Sequence, residues 1–263
     1  MTSHIKSRKF FVLAEARAGG TFLVTCLSNH PRIFCTRGEP LHHGSHWRTA
    51  APDEIERLKL ITNQQHYDIA GCKLMRNHFE RAPILAWLRR VQPLVIYLRR
   101  ECYVAQALSM AANDVHRADP KLGIPTHVYE HLDPVAIYLD PEQVLFYITR
   151  LQQNYGLIGD KKGSHRAFLR AGGFRVLSLS YEQITDGGHE VVGIGGILAD
   201  EICDFLGVER GDLPGGGLRQ SHHKPWDQYV TNWTEVWQAI ATHLDAVGLS
   251  ADLKWGEKET CGN

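Results

Sequence analysis

The chain has 263 residues, and its 29 lysines and arginines balance 29 aspartates and glutamates, so its formal net charge is zero with histidine neutral. This balance argues against nucleic-acid binding, because such domains usually carry a basic excess. Apolar residues make up 43% and charged residues 22%, which excludes wholesale disorder. No apolar run reaches the roughly 20 residues of a membrane-spanning helix or resembles a signal peptide. The six dispersed cysteines indicate neither a zinc knuckle nor a disulfide scaffold. We expect a soluble, cytoplasmic protein.

Short β-rich runs alternate with helical stretches along the chain. The continuous apolar run at residues 10–14 predicts a buried parallel strand, and further strands are predicted at 67–75, where Gly71 is unfavourable, at 94–98 and at 174–179. Helices are predicted at 21–29, 79–91, 102–115, 141–157 and 197–206. Glycine-rich stretches at 187–196 and 211–217 are typical of mobile loops. The alternation favours an α/β fold, with a central, mainly parallel sheet flanked by helices in a single domain over residues 1–263.

A glycine-containing turn joins the first predicted strand to the first predicted helix. Its sequence is Arg17-Ala18-Gly19-Gly20-Thr21-Phe22. The backbone N–H groups and the helix dipole at such a turn attract anions, and glycines let the backbone come close to them. The turn lacks the lysine and the spacing of a Walker A loop, and it is not a G-x-G-x-x-G fingerprint. It therefore predicts an anion cradle, with an ordinary strand–helix turn as the alternative.

A second candidate anion site follows the strand predicted at residues 94–98. That strand ends in Arg99 and Arg100, and Ser109 lies on the next predicted helix. In open α/β sheets, ligands collect at the carboxyl ends of strands, and paired arginines with a hydroxyl suit a phosphate monoester. The alternative is an arginine pair at a strand end and an unrelated serine on a helix face.

These segments, in this order, resemble the sulfotransferases that use 3′-phosphoadenosine 5′-phosphosulfate (PAPS), in particular the bacterial branch that includes the Nod-factor and trehalose sulfotransferases. FFVLAEARAGGTFLVTCLSNHPRI is similar to the family's phosphosulfate loop, and VIYLRRECYVAQALSM to its 3′-phosphate motif. GEPLHH, GCKLM, VLSLSYEQI and CDFLGV resemble further family segments, so that the resemblance covers about residues 10–245. It implies a P-loop-like nucleotide-binding architecture and sulfuryl transfer from PAPS to a hydroxyl of a carbohydrate or small polar metabolite.

The resemblance also implies which residues bind PAPS and its product PAP. Tyr181 matches a tyrosine that contacts the adenine edge, and a basic loop over the 3′-phosphate is matched loosely near residue 220. A core tyrosine and a solvated connector are the respective alternatives. Ala18 replaces a usual serine and Glu101 a usual basic residue, which keeps open a homologue that binds PAP without turnover. The implied donor-binding set is Arg17, Ala18, Gly19, Gly20, Thr21, Phe22, Arg99, Arg100, Ser109, Tyr181, Arg219, Gln220 and Lys224.

Sulfuryl transfer needs stabilisation of the leaving-group charge and a base for the acceptor hydroxyl. Arg17 and the amides of residues 19–22 are candidates for the first task. Glu39 matches the glutamate of the family's E-P element and is the first candidate base, but its pKa would have to rise from about 4.3 toward neutrality through burial. His42 and His43 compete with it, because the ordinary histidine pKa of about 6.5 suits the task. A loop carboxylate paired with Arg37 is the alternative for Glu39.

Four residues are candidates for the acceptor side: Glu39, His42, Trp47 and Lys73. Lys73 matches a strand lysine of the family, with a structural salt bridge as the alternative. His42, His43 and His46 lack the H-E-x-x-H pattern, so we expect no metal. The rival enzyme is an ATP-using P-loop phosphotransferase, against which the missing Walker lysine counts. A homodimer is compatible with the resemblance; nucleic acid and membrane partners are not expected.

Overall fold

The computed structural model describes residues 8–42, 45–119, 135–185, 193–216 and 225–249. Within them the chain forms two compact units. The first comprises residues 8–42, 45–99, 168–185 and 193–216, and the second comprises residues 100–119, 135–167 and 225–249. The single domain expected over 1–263 stays a prediction.

The first unit is built on a five-stranded sheet whose strands are all parallel. The strands are β1 (Arg8–Ala14), β2 (Ile33–Thr36), β3 (Ile69–Leu74), β4 (Leu94–Arg99) and β5 (Arg175–Ser180). Their order is β2-β3-β1-β4-β5, which places β1 in the middle. A parallel strand covered on both faces needs a continuous apolar run, and β1 has one in Phe10, Phe11, Val12 and Leu13, all fully buried.

Helices follow or precede each strand. In chain order they are α1 (Gly20–Ser28), α2 (Trp47–Ala50), α3 (Glu54–Thr62), α4 (Arg76–Phe79), α5 (Ala82–Val91), α6 (Tyr103–Ala118), α7 (Pro141–Tyr155), α8 (His165–Ala171), α9 (Tyr181–Thr185), α10 (Gly196–Leu206), α11 (Trp226–Tyr229) and α12 (Trp233–Ala246).

The sheet of the first unit has a helical layer on each side. Successive side chains of a strand point to opposite faces, so Phe10 and Val12 pack against α1 and α10, whereas Phe11 and Leu13 pack against α3 and α5. Each face is therefore sealed by its own apolar cluster. The predicted α/β fold, with a central parallel sheet flanked by helices, is confirmed.

Three local features differ from the sequence-based expectation. The helix predicted over 79–91 begins only at Ala82, as α5, and Phe79 ends the separate helix α4, because Pro83 fits only the first turn of a helix. The described parts of the two glycine-rich stretches contain short strands, β6 (Gly193–Ile194) and β7 (Leu213–Pro214), which pair antiparallel; residues 187–192 and 217 lie outside the described residues. The sequence predicts no counterpart for the strand β2 or for the helices α2, α3, α8, α9, α11 and α12.

The second unit is helical. Its helix α7 packs against both α6 and α12. The carboxylate of Asp140 accepts the N–H of Glu142 at the start of α7, and Gly156, with φ of 73°, ends the helix. The hydroxyl of Tyr155 donates to Gln106 Oε1 at 2.8 Å, which links α7 to α6. No helix within the described residues combines the length and apolar character that crossing a bilayer requires.

Gly71 allows β3 to lie tightly against β1, and its replacement tests this packing. A Cβ atom at Gly71 would lie 2.1 Å from the carbonyl oxygen of Phe10, so we expect Gly71→Ala to lower the free energy of unfolding by about 1–3 kcal/mol. Gly38→Ala is the matched control, because nothing lies within 4 Å of its Cβ position, and it should change stability by no more than about 0.5 kcal/mol. Urea denaturation measures both. An equal loss of stability in the two variants would contradict the close contact between Gly71 on β3 and Phe10 on β1.

Candidate functional site

The chain makes a tight turn where β1 ends and α1 begins. Arg17 has φ of 61° and Gly19 has φ of 82°, and such values are strained for a residue other than glycine. Ala18 is fully buried, and its N–H donates to the carbonyl oxygen of Glu15 at 3.3 Å. The backbone of the predicted cradle is thus held in one unusual conformation.

The first turn of α1 presents its positive end at this point. Gly19 is the N-cap residue, so no side chain caps the helix, and its first turn contains no acidic residue. The N-terminus of a helix carries a partial positive charge and N–H groups that suit an anion. Phe22 packs its ring against the apolar cluster, which leaves its main-chain N–H as the group it can offer.

Tyr181 is brought to the turn by the end of β5. Ser180 and Gln183 form a capping box, in which Gln183 N–H donates to Ser180 Oγ at 3.2 Å and Ser180 N–H donates to Gln183 Oε1 at 2.8 Å. This starts α9 at Tyr181, whose ring lies so close to Gly19 that a Cβ there would be 2.5 Å from its Cδ2 atom. The expected adenine contact of Tyr181 stays a prediction.

Lys73 reaches the same turn from the neighbouring strand. It pairs with Val12 in the parallel register of β3 and β1. A Cβ atom at Gly20 would lie 2.8 Å from Lys73 Cδ and 3.8 Å from Lys73 Nζ, so the lysine stem crosses Gly20 and its ammonium lies beside the N-terminus of α1. A Walker A loop carries its lysine within the loop; here β3 supplies a lysine to the turn.

Glu39 is the ion-pair partner of Lys73. Glu39 Oε1 lies 2.9 Å from Lys73 Nζ, and the two side chains are 27% and 11% exposed. The alternative pairing of Glu39 with Arg37 is not what the structure has, since Arg37 donates to Ser28 Oγ and Asn29 Oδ1 instead. The sequence placed Glu39 and Lys73 in the acceptor set but did not pair them.

The environment of Glu39 lowers the pKa of its carboxyl. Burial favours the neutral form, but the charge and hydrogen bond of Lys73, together with the charges of His78 and His42, outweigh it. The shift is opposite to the rise toward neutrality that the sequence analysis required of an efficient base. Glu39 is therefore a carboxylate at neutral pH.

The remaining predicted residues fall into four groups. Arg99 ends β4 and lies at the carboxyl edge of the sheet, next to the end of β1. Arg100 and Ser109 belong to the second unit, where Ser109 is buried on α6. The exposed His42 donates its N–H to the carbonyl oxygen of Glu39, and Trp47 packs against the apolar cluster on the α3 face. Outside the described residues lie His43, Arg219, Gln220 and Lys224.

No family model matches the sequence, and none of the curated proteins does. Among solved structures, the chain is similar to mouse sulfotransferase SULT7A1 complexed with PAP, with 14% identity and a TM-score of 0.46. The match covers 94% of this chain and 88% of the mouse chain. A likeness of this size assigns neither family nor activity to the protein. Within the described residues, no group of three or more His, Cys, Asp or Glu side chains is placed to hold a metal ion.

The contact of Tyr181 with Gly19 predicts an unequal effect of two glycine replacements. We expect Gly19→Ala to cost more stability than Gly173→Ala, because both residues have positive φ but only Gly19 faces a ring, while nothing lies within 4 Å of the Cβ position of Gly173. The control should cost about 1–2 kcal/mol from the backbone alone. In a protein that already carries Tyr181→Ala, the further change Gly19→Ala should cost no more stability than Gly173→Ala, because the ring that the methyl group would meet is gone. Equal losses in urea denaturation would show that the ring does not rest on the turn.

The ion pair predicts how the pKa of Glu39 responds to removal of Lys73. In the unchanged protein it should lie below the ordinary 4.5, so that the stability from the pair is complete above 4.5 and is lost as the pH falls through the lower, folded value. In Lys73→Met, burial is opposed only by the charges of His78 and His42, so the pKa should rise from its lowered value and the stability that is lost at acid pH should shrink. NMR titration of the Glu39 carboxyl measures both.

Lys59→Met is the control for this titration. Lys59 pairs with Glu56 on the exposed face of α3, so its loss should leave the pKa of Glu39 unchanged. A Glu39 pKa that stays low in Lys73→Met would contradict the assignment of the shift to this ion pair.

Proposed function

We propose that this chain transfers a sulfuryl group from PAPS to a hydroxyl of a carbohydrate or small polar metabolite. The observation that carries the proposal is the meeting of three kinds of group at one turn: the N-terminus of α1, the Lys73 ammonium and the Glu39 carboxylate. These are an anion cradle, a cation and a proton acceptor. The ordered sequence motifs that resemble PAPS-dependent sulfotransferases support PAPS as the donor.

The donor's phosphosulfate end would be held by the turn. Arg17 and the main-chain N–H groups of residues 19–22 supply hydrogen-bond donors, and Lys73 supplies a second positive charge. Glycine at positions 19 and 20 lets the Tyr181 ring and the Lys73 stem line the turn, since a methyl group at either position would collide with them. The 3′-phosphate end is assigned, from the sequence resemblance, to Arg99, Arg100 and Ser109, with the residues of the 219–224 segment.

The reaction is an in-line displacement at sulfur. The acceptor oxygen forms a bond to sulfur while the bond from sulfur to the 5′-phosphate oxygen breaks, and the electron pair of that bond remains on PAP. Arg17, Lys73 and the α1 N-terminus stabilise the negative charge that develops there. Glu39 accepts the acceptor's proton, with His42 and His43 as the competing bases. When Lys73 turns its charge toward the leaving phosphate, Glu39 loses stabilisation of its ionised form and becomes more basic.

Incubation of the purified chain with labelled PAPS and a panel of polar hydroxyl compounds tests the proposal. Mass spectrometry should find products that gain one sulfonate. These products should form only when PAPS is present, and a magnesium chelator should not prevent their formation. Tight PAP binding without transfer to any member of the panel would overturn the enzymatic proposal in favour of a binding homologue. Phosphate transfer from ATP that requires magnesium would overturn it in favour of a phosphotransferase.

Replacement of Glu39 separates the base from donor binding. We expect Glu39→Gln to lower the rate of transfer by about 100-fold or more, because loss of a general base has effects of this size, while PAP still binds at least as tightly, because Lys73 is then released from its carboxylate partner. Glu56→Gln, on the exposed face of α3, is the control and should keep the full rate. Full activity in Glu39→Gln would transfer the role of the base to His42 or His43.

A further inference from the structure

Arg57 is a buried arginine of α3 whose side chain binds three main-chain oxygens in the described part of the chain. The residue is 2% exposed. Its Nε atom donates to the carbonyl oxygen of Ala51, its Nη1 atom to that of Pro40 and its Nη2 atom to that of Pro52, each at 2.9 Å. All three acceptors are neutral, and they come from two separate segments of the chain.

This arrangement is specific to an arginine. A buried charge is tolerated only when it is well hydrogen-bonded, and a buried carbonyl without a donor is unfavourable. The planar guanidinium presents donors in several fixed directions, whereas a lysine ammonium is a single point of charge at the end of a flexible stem. A lysine at position 57 could not reach Ala51, Pro40 and Pro52 with the same geometry.

One of the three bonds ends next to the candidate site. Pro40 directly follows Glu39, whose carboxylate is paired with Lys73. The main-chain oxygen of Glu39 also accepts the N–H of His42 at 3.2 Å, and Leu41 is buried. The short segment from Glu39 to Leu41 is thus held on one side by the Arg57 guanidinium and on the other by the Lys73 ammonium.

We propose that Arg57 is a positioning residue of the site: by binding the Pro40 carbonyl, it holds the Glu39–Leu41 segment so that the Glu39 carboxylate meets Lys73. Arg57 acts through Glu39 and touches no reacting atom. Its effect on turnover rests on the proposed function, but its effect on the Glu39–Lys73 pair does not.

Arg57→Lys tests the proposal in the full-length protein without any ligand. With the segment loosened, Lys73 should hold the Glu39 carboxylate less closely, and the Glu39 pKa, followed by NMR titration, should rise from its lowered value. The other charges that act on Glu39, those of His78 and His42, are unchanged in this variant. Arg32→Lys is the matched control, because Arg32 is exposed and binds Asp68 away from the site; it should leave the Glu39 pKa where it is. An unchanged Glu39 pKa in Arg57→Lys would overturn the proposal.

Turnover supplies the second readout. We expect Arg57→Lys to lower kcat by about 10- to 100-fold, as small misplacements of a reacting group do, with little change in the KM for PAPS. In the Glu39→Gln background the same change should have no further effect on kcat. A full additional loss in that background would show that Arg57 acts elsewhere and would overturn the proposal.

Arg57→Gln keeps the test decisive if Arg57→Lys does not fold. The glutamine amide nitrogen occupies the place of Arg57 Nε, so it can keep the bond to Ala51 but not the bond to Pro40, and the Glu39 pKa should again rise; a pKa that stays low would overturn the proposal. The failure of this proposal can be distinguished from the failure of the proposed function. If the protein shows no sulfotransferase activity, the Glu39 pKa still tests the positioning role of Arg57. If the protein is active but the Glu39 pKa does not shift in the variants, only the positioning role of Arg57 is overturned.

Discussion

The packing of the Lys73 stem across Gly20 is the contact on which the rest of the site depends. It requires β3 beside β1 in parallel register and a glycine at the first position of α1. It also has an electrostatic consequence, because it places a positive charge at the positive end of a helix, which is unfavourable by itself. A negative partner is therefore needed, and Glu39 supplies it at 2.9 Å. Because the Lys73 charge beside the helix N-terminus needs a negative partner, the position of Lys73 also accounts for the lowered pKa of Glu39.

The parts of this arrangement that depend on local pattern could be predicted from the sequence. The apolar runs that form β1 and β4 are continuous because both faces of the sheet are covered there, whereas the edge strand β5 is interrupted by the exposed Ser178. The pair Gly19-Gly20 between a strand and a helix indicated a close approach to the backbone, and the structure shows that the approaching groups are Tyr181 and Lys73. The Ser180 to Gln183 spacing is a capping-box signal, and it could have placed Tyr181 at the start of a helix.

The parts that depend on distant contacts could not be predicted. An efficient base at position 39 would need a pKa raised by burial, and a lysine on another strand reverses the sign of the shift. Nothing local marks Arg57 as buried, because it lies in a helix rich in charged residues and its three acceptors are main-chain atoms outside that helix. The strand β2 has only four residues, too few for its alternation to stand out from the surrounding loop.

The Glu39–Lys73 ion pair lies at the N-terminus of α1, where an anionic ligand could replace Glu39 as the partner of Lys73. Glu39 is the negative partner that Lys73 needs in the protein without ligand, and an anion bound at α1 would take over that function, since it satisfies both the lysine and the helix end. Glu39 is then left partly buried without its main counter-charge, and burial becomes the dominant influence on its pKa. The same carboxylate can thus be a weak base before an anion binds and a stronger one afterwards. Because Arg57 binds the Pro40 carbonyl, such a change of partner would alter the protonation of Glu39 while the segment that carries Glu39 stays anchored near the turn.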